Sequence, residues 1–82
     1  MNQLIIISLC ERKLDKGELY GYRFRFEGAF RGSIINKIDV KTSESLKVNS
    51  AYFLTLKLER LSNNCLITKL IDYKELKKYH FD

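Results

Sequence analysis

Tyr20-Gly21-Tyr22-Arg23-Phe24-Arg25-Phe26-Glu27-Gly28 is the stretch from which the architecture of this chain is read. Its alternation sends Tyr20, Tyr22, Phe24 and Phe26 to one face and Arg23, Arg25 and Glu27 to the other. A period of two marks a half-buried strand, because successive side chains point to opposite faces of a sheet. These nine residues hold four of the ten aromatics, so their apolar face is expected to seed the core. Aromatics beside arginines on a sheet are also the raw material of a single-stranded nucleic-acid platform, where rings stack on bases and cations track phosphates. An ordinary small barrel needs the same residues for its core and its solvated exterior. Both readings stay open at this point.

Upstream, residues 4–10 form a short apolar run rich in β-branched side chains. It reads as a strand buried on both faces or central in a sheet, with Ile5 and Ile7 in the core. Asp15-Lys16-Gly17-Glu18 reads as a four-residue turn that completes a hairpin with the aromatic strand. Downstream, Gly28 and Gly32 bracket Ala29-Phe30-Arg31, either as a loop or as a bulge at which a long strand bends. Residues 33–40 make a third strand, and 41–50 a loop with one helical turn at most. Residues 51–61 alternate again, with Tyr52, Leu54, Leu56 and Leu58 opposite Phe53, Thr55, Lys57 and Glu59. Ser62-Asn63-Asn64 is a tight turn, since asparagine tolerates the left-handed region that hairpins demand. Residues 65–71 are a fifth strand.

Five strands without a long helix define an all-β domain. Its sheet edges must be paired or closed to avoid aggregation, which favours a small five-stranded antiparallel barrel over an open sheet. The order of hairpin, bend, crossing loop and hairpin suits an oligonucleotide-binding (OB) barrel with a short or absent helix between strands three and four. An SH3-like barrel is the alternative. Residues 1–73 are expected to form the single barrel domain. Residues 74–82 are read as a basic tail or short helix, with Tyr73, Leu76 and Tyr79 three apart.

Asn2-Gln3-Leu4-Ile5-Ile6-Ile7, followed by Tyr22-Arg23-Phe24-Arg25-Phe26, resembles the opening of bacterial single-stranded DNA-binding proteins and of primosomal PriB-type proteins. There, too, a polar residue and an apolar strand begin the barrel. The resemblance covers the first third of the chain. It implies an OB barrel that binds single-stranded DNA.

The 82 residues carry a net charge of +5, compatible with a polyanionic partner and equally with plain solubility. Cys10 and Cys65 lie in apolar runs without CxxC or CxxH spacing, so free, reduced thiols and no metal are expected. That chemistry suits the cytoplasm. Residues 4–9 are too few to span a bilayer, and neither a signal peptide nor a membrane partner is expected. His80 is the sole histidine, no spaced carboxylate pair or phosphate-cradling glycine loop is present, and no enzyme activity or cofactor is expected.

The candidate site combines Arg23 and Arg25 with Arg31, Lys37 and Lys57 as cations. Phe30 and Phe53 are the aromatics least accounted for by core packing. The expected function is non-enzymatic binding of single-stranded DNA or RNA. The competing reading is a small protein-interaction module, a subunit, adaptor or inhibitor, that docks a protein partner or a second copy through a sheet edge or barrel face.

Overall fold

A computed structural model describes residues 3–16 and 19–77. Five strands follow one another: β1 (Gln3–Lys16), β2 (Leu19–Phe30), β3 (Ser33–Lys41), β4 (Ala51–Ser62) and β5 (Cys65–Leu76). They close into a ring in the order β1-β2-β3-β5-β4. The described residues contain no helix, and none long and apolar enough to cross a membrane. Four of the five pairings are antiparallel, and β3 with β5 is parallel. The parallel seam follows from connectivity. Residues 42–50 carry the chain across one end of the barrel, and the β4–β5 hairpin then returns β5 beside β3.

Strand β1 serves two neighbours. Residues 3–9 pair with β4 and residues 9–16 with β2, with a bulge between Cys10 and Arg12. Such a bend lets a single strand turn a barrel corner. The register places Leu4, Ile6 and Ser8 opposite Leu56, Leu54 and Tyr52, and residues directly opposite share a face. Ile5 and Ile7, expected in the core, therefore point outward and are 63% and 39% exposed. An unbroken apolar run has no phase of its own, and the partner strand chose it.

The aromatic strand keeps its expected phase. Tyr22 and Phe24 are buried, Phe26 packs against the core, and Tyr20 emerges at the strand end. Phe24 meets Tyr52 edge to face with ring centroids 6.1 Å apart. Gly21 is required where β2 passes β3, because a Cβ there would lie 1.9 Å from the Val40 carbonyl oxygen. The β2–β3 ladder shifts register between Arg25 and Gly28, and β2 then runs on to Phe30. The glycine-rich stretch is thus a bulged strand, and the turn proper is Arg31-Gly32. Both turn residues have positive φ, 51° and 79°. Asn63 and Asn64 do the same at the β4–β5 tip, with φ 48° and 63°. Two consecutive left-handed residues match the twist of the flanking strands.

Two boundaries differ from the sequence reading. The β1–β2 ladder continues to Lys16 opposite Leu19, so the first hairpin is tighter than a four-residue turn. β5 continues to Leu76 opposite Ala51, three residues past the expected domain end. The helical spacing of Tyr73 and Leu76 gives way to strand pairing, because β4 presents an edge over residues 51–55. Residues 78–82, the remainder of the expected tail, lie outside the described residues.

Phe24, Ile35, Ile38, Leu54 and Leu56 form the fully buried centre. Leu46, from the crossing segment, plugs one end and is 6% exposed. Two core tyrosines hold that segment in place. The Leu46 N–H donates to the Tyr22 hydroxyl at 3.2 Å, and the Lys47 N–H to the Tyr52 hydroxyl at 2.8 Å. These bonds satisfy amides that a helix would otherwise pair.

Candidate nucleic-acid interface

Alternation leaves every second side chain of β2, β3, β5 and β4 on the outside of the barrel. On this wall Arg25 stands opposite Lys37, and Arg23 opposite Asp39. Arg23 is not free to meet a ligand. Its Nε donates to Asp39 Oδ1 at 2.7 Å and its Nη2 to Oδ2 at 3.0 Å. Asp39 is 2% exposed, so the pair is a planar, two-bond clasp around a buried carboxylate. The hydrogen bond to Asp39 raises the Arg23 pKa further. Thr68 Oγ1 donates to the Asp39 carbonyl at 3.0 Å and pins β5 to the same place.

Two residues beyond Asp39 on β3, Lys41 stands opposite Lys69 of β5, and Lys69 opposite Lys57 of β4. Neighbouring strands are about 4.8 Å apart, so three lysines form one transverse row on adjacent strands. Like charges directly opposite one another destabilise a sheet. Glu59 answers part of that charge through an ion pair with Lys41. The hydrogen bond from Lys41, then the charges of Lys41, Lys69 and Lys57, hold its carboxyl below the usual carboxylate range. Lys57 and Lys69 remain exposed.

An open cleft of about 430 Å³ adjoins this row, lined by Lys41, Ser43, Lys69, Ile71 and Tyr73 among others. Ile71 is half exposed on one wall. The Tyr73 hydroxyl donates to Glu44 Oε1 at 3.0 Å across the rim, and that acceptor raises the Tyr73 pKa.

The expected site residues do not all meet. Arg25 and Lys37 are register partners, and Lys57 belongs to the lysine row. Arg31 sits at the β2–β3 tip with its guanidinium 5.0 Å over the Phe30 ring. Phe30 itself is half-buried against the core, so its other face is already used. Phe53 lies on the β1–β4 side opposite Ile7, about 13 Å along β4 from Lys57 at the usual rise per residue. Arg23 serves Asp39. Lys41 and Lys69 were not singled out from sequence. Each sits at an outward strand position, but only the parallel β3–β5 seam makes them neighbours, and nothing local announces that seam.

Both cysteines are free and buried, and burial pushes each thiol up to about 11. They are protonated at neutral pH and poor nucleophiles. Among the described residues, no group of three or more His, Cys, Asp or Glu side chains is placed to hold a metal ion. Compared with protein-family models, curated proteins and solved structures, this chain matches none, and the site is read from its own geometry.

Proposed function

We propose that this protein is a non-enzymatic, OB-like barrel that binds single-stranded nucleic acid across the outer wall of β2, β3, β5 and β4. The observation that carries the reading is the transverse row Lys41, Lys69 and Lys57. A sheet that keeps three lysines abreast retains a repulsion that a bound polyanion relieves. Arg25 and Lys37 extend the cationic surface along the same wall. The place of Arg25 and Lys37 on β2 and β3 supports an OB-like reading, since OB barrels bind oligonucleotides over the face of their second and third strands. The cleft beside Ile71 and Tyr73 offers an apolar and aromatic wall to an unstacked base. A duplex keeps its base faces hidden, so the preference is for single strands. Buried, protonated thiols support a reducing, cytoplasmic setting.

Fluorescence anisotropy with labelled single-stranded and duplex oligonucleotides, over a salt series, tests the proposal. Single strands should bind more tightly. With about four phosphates contacted, log affinity should fall with log salt at a slope near −3, about −0.7 per phosphate. The double variant Lys57→Ala/Lys69→Ala should flatten the slope by about 1.4. Absence of binding at low salt would overturn the reading. A duplex preference would reassign the ligand.

A further inference from the structure

The cleft beside the lysine row has two unlike ends. It runs between residues 69–73 of β5 and residues 41–44, where the chain leaves β3. At one end Lys41 and Lys69 are register partners. At the other the Tyr73 hydroxyl donates to Glu44 Oε1 at 3.0 Å and bridges the gap. Lys69 and Tyr73 are four residues apart, about 13 Å along a strand, long enough for one nucleotide lying lengthwise. The volume, about 430 Å³, falls in the roughly 300–1,000 Å³ range of small-ligand pockets.

The wall between the two ends is shaped and held. The β4–β5 ladder shifts register between Thr55 and Leu56, so Leu70 and Asp72 have facing partners and Ile71 has none. A bulge re-aims the side chain it carries, and Ile71 lines the cleft half exposed. The Tyr73 ring meets the core Tyr52 ring edge to face, with centroids 6.0 Å apart. Asp72, the second carboxylate of the lining, turns its Oδ1 back to the Tyr73 N–H at 2.9 Å. Glu44 is oriented twice, by its N–H donating to Thr42 Oγ1 at 3.0 Å and by Tyr73. Its Oε2 has no partner among the described residues.

An ionised carboxylate only accepts hydrogen bonds, and it repels phosphate. Its place in a cationic cleft therefore suits the donor-bearing edge of a base. Adenine and cytosine set an amino donor beside a ring-nitrogen acceptor, and thymine and uracil set one imino donor between two carbonyls. Guanine sets two donors side by side, N1–H and the N2 amino group, to match two carboxylate oxygens. Oε1 can serve both Tyr73 and the base, since a carboxylate offers about four acceptor sites.

Resting on the reading of this wall as a single-strand interface, we propose that the cleft is a guanine-selective subsite. The base lies against Ile71 and Tyr73, and its N1–H and N2 amino group donate to Glu44. The phosphate of the same nucleotide lies toward Lys41 and Lys69. The lysines hold any strand, and Glu44 sorts the base, because a wrong base turns an acceptor toward the carboxylate.

Fluorescence anisotropy with thymine oligomers that carry thymine, guanine, hypoxanthine or adenine at one central position is the test. The all-thymine oligomer reports the cationic wall by itself. The guanine oligomer should bind about tenfold more tightly than the adenine one, as a two-bond base contact supplies. Hypoxanthine, which is guanine without the N2 amino group, should lose most of that gain. Glu44→Gln puts an amide donor where an acceptor stood. It should erase the guanine preference and leave all-thymine binding intact, with a thermal melt to verify that the variant is folded. The subsite is overturned, and the interface reading kept, by equal affinity for all four oligomers or by a preference for another base. Hypoxanthine binding as tightly as guanine, or a guanine preference that survives Glu44→Gln, overturns it too. If none of the four oligomers binds at low salt, the interface reading falls and the subsite with it.

Discussion

The outer walls of this barrel are made by the same alternation and differ in what the inner residues leave outside. On β2, β3 and β5 the outward positions include Arg23, Arg25, Glu27, Lys37, Asp39, Lys41, Lys69 and Ile71. On β1 and β4, between residues 3–9 and 51–55, they are Ile5, Ile7 and Phe53 with little charge between them. The first wall balances its charge within itself only in part. Arg23 and Asp39 neutralise one another, and Lys41 finds Glu59, but Lys57 and Lys69 are left facing one another. The second wall carries charge only at its borders, where Lys57 stands opposite Gln3 and Lys74 opposite Phe53, and lacks a strand along part of its edge. One wall presents cations and the other apolar side chains, and the distinction lies in which residues end up abreast.

The largest effect should come from taking apart the clasp that organises the cationic wall. Arg23→Ala leaves the Asp39 carboxylate buried without its partner and should cost about 3–5 kcal/mol in urea unfolding. Replacing both residues together with apolar side chains of similar volume should recover much of that loss. If Arg23→Ala were nearly neutral, the wall would be a solvated face and not a built one.

Next in size is the anchoring of the crossing segment. Tyr52→Phe removes the acceptor of the Lys47 N–H and should lower stability by about 1 kcal/mol. Hydrogen exchange should report it as faster exchange at Lys47.

The lysine row should show stability and binding moving in opposite directions. Lys57→Ala/Lys69→Ala should raise folding stability by about 0.5 kcal/mol, because two opposed like charges are removed. The same variant is expected to bind single strands more weakly. A variant that lost both would argue that the lysines pack the sheet through their aliphatic stems.

The last effect is confined to alkaline pH. Burial raises the folded-state pKa of Cys10 and Cys65 to about 11, above the ordinary thiol value. The folded chain then holds these protons more firmly than the unfolded chain. The sign is a stability present below about pH 9 and lost as pH climbs toward 11. Thiol reagents near pH 8 should modify neither cysteine until denaturant is added, and both afterwards.

Much of the barrel was legible in advance, for local reasons. Tyr22, Phe24, Tyr52, Leu54 and Leu56 reached the core because polar neighbours at every second position declare the phase of their strands. Asn63 and Asn64 announced their turn because few other residues accept positive φ. Ile5 and Ile7 were misplaced because Leu4 to Ile7 is apolar at every position and either phase satisfies the pattern. Tyr73 and Leu76 showed helical spacing, but a strand edge on β4 gave their backbone better partners. Of the candidate site, Arg25, Lys37 and Lys57 fell on the cationic wall. Arg23 did not remain available, since its partner lies sixteen residues away on another strand.

Residue order alone settled the class of fold, the inward faces of β2 and β4, the turn at Asn63-Asn64 and the excess of positive charge. These follow from period-two patterning and φ preferences, which act over a few residues. Tertiary pairing settled the rest: the phase of β1, the Arg23–Asp39 clasp, the meeting of Lys41, Lys69 and Lys57, and the open edge beside Ile5. Each depends on register between strands distant in sequence, and a shift of one residue would turn every side chain to the opposite face.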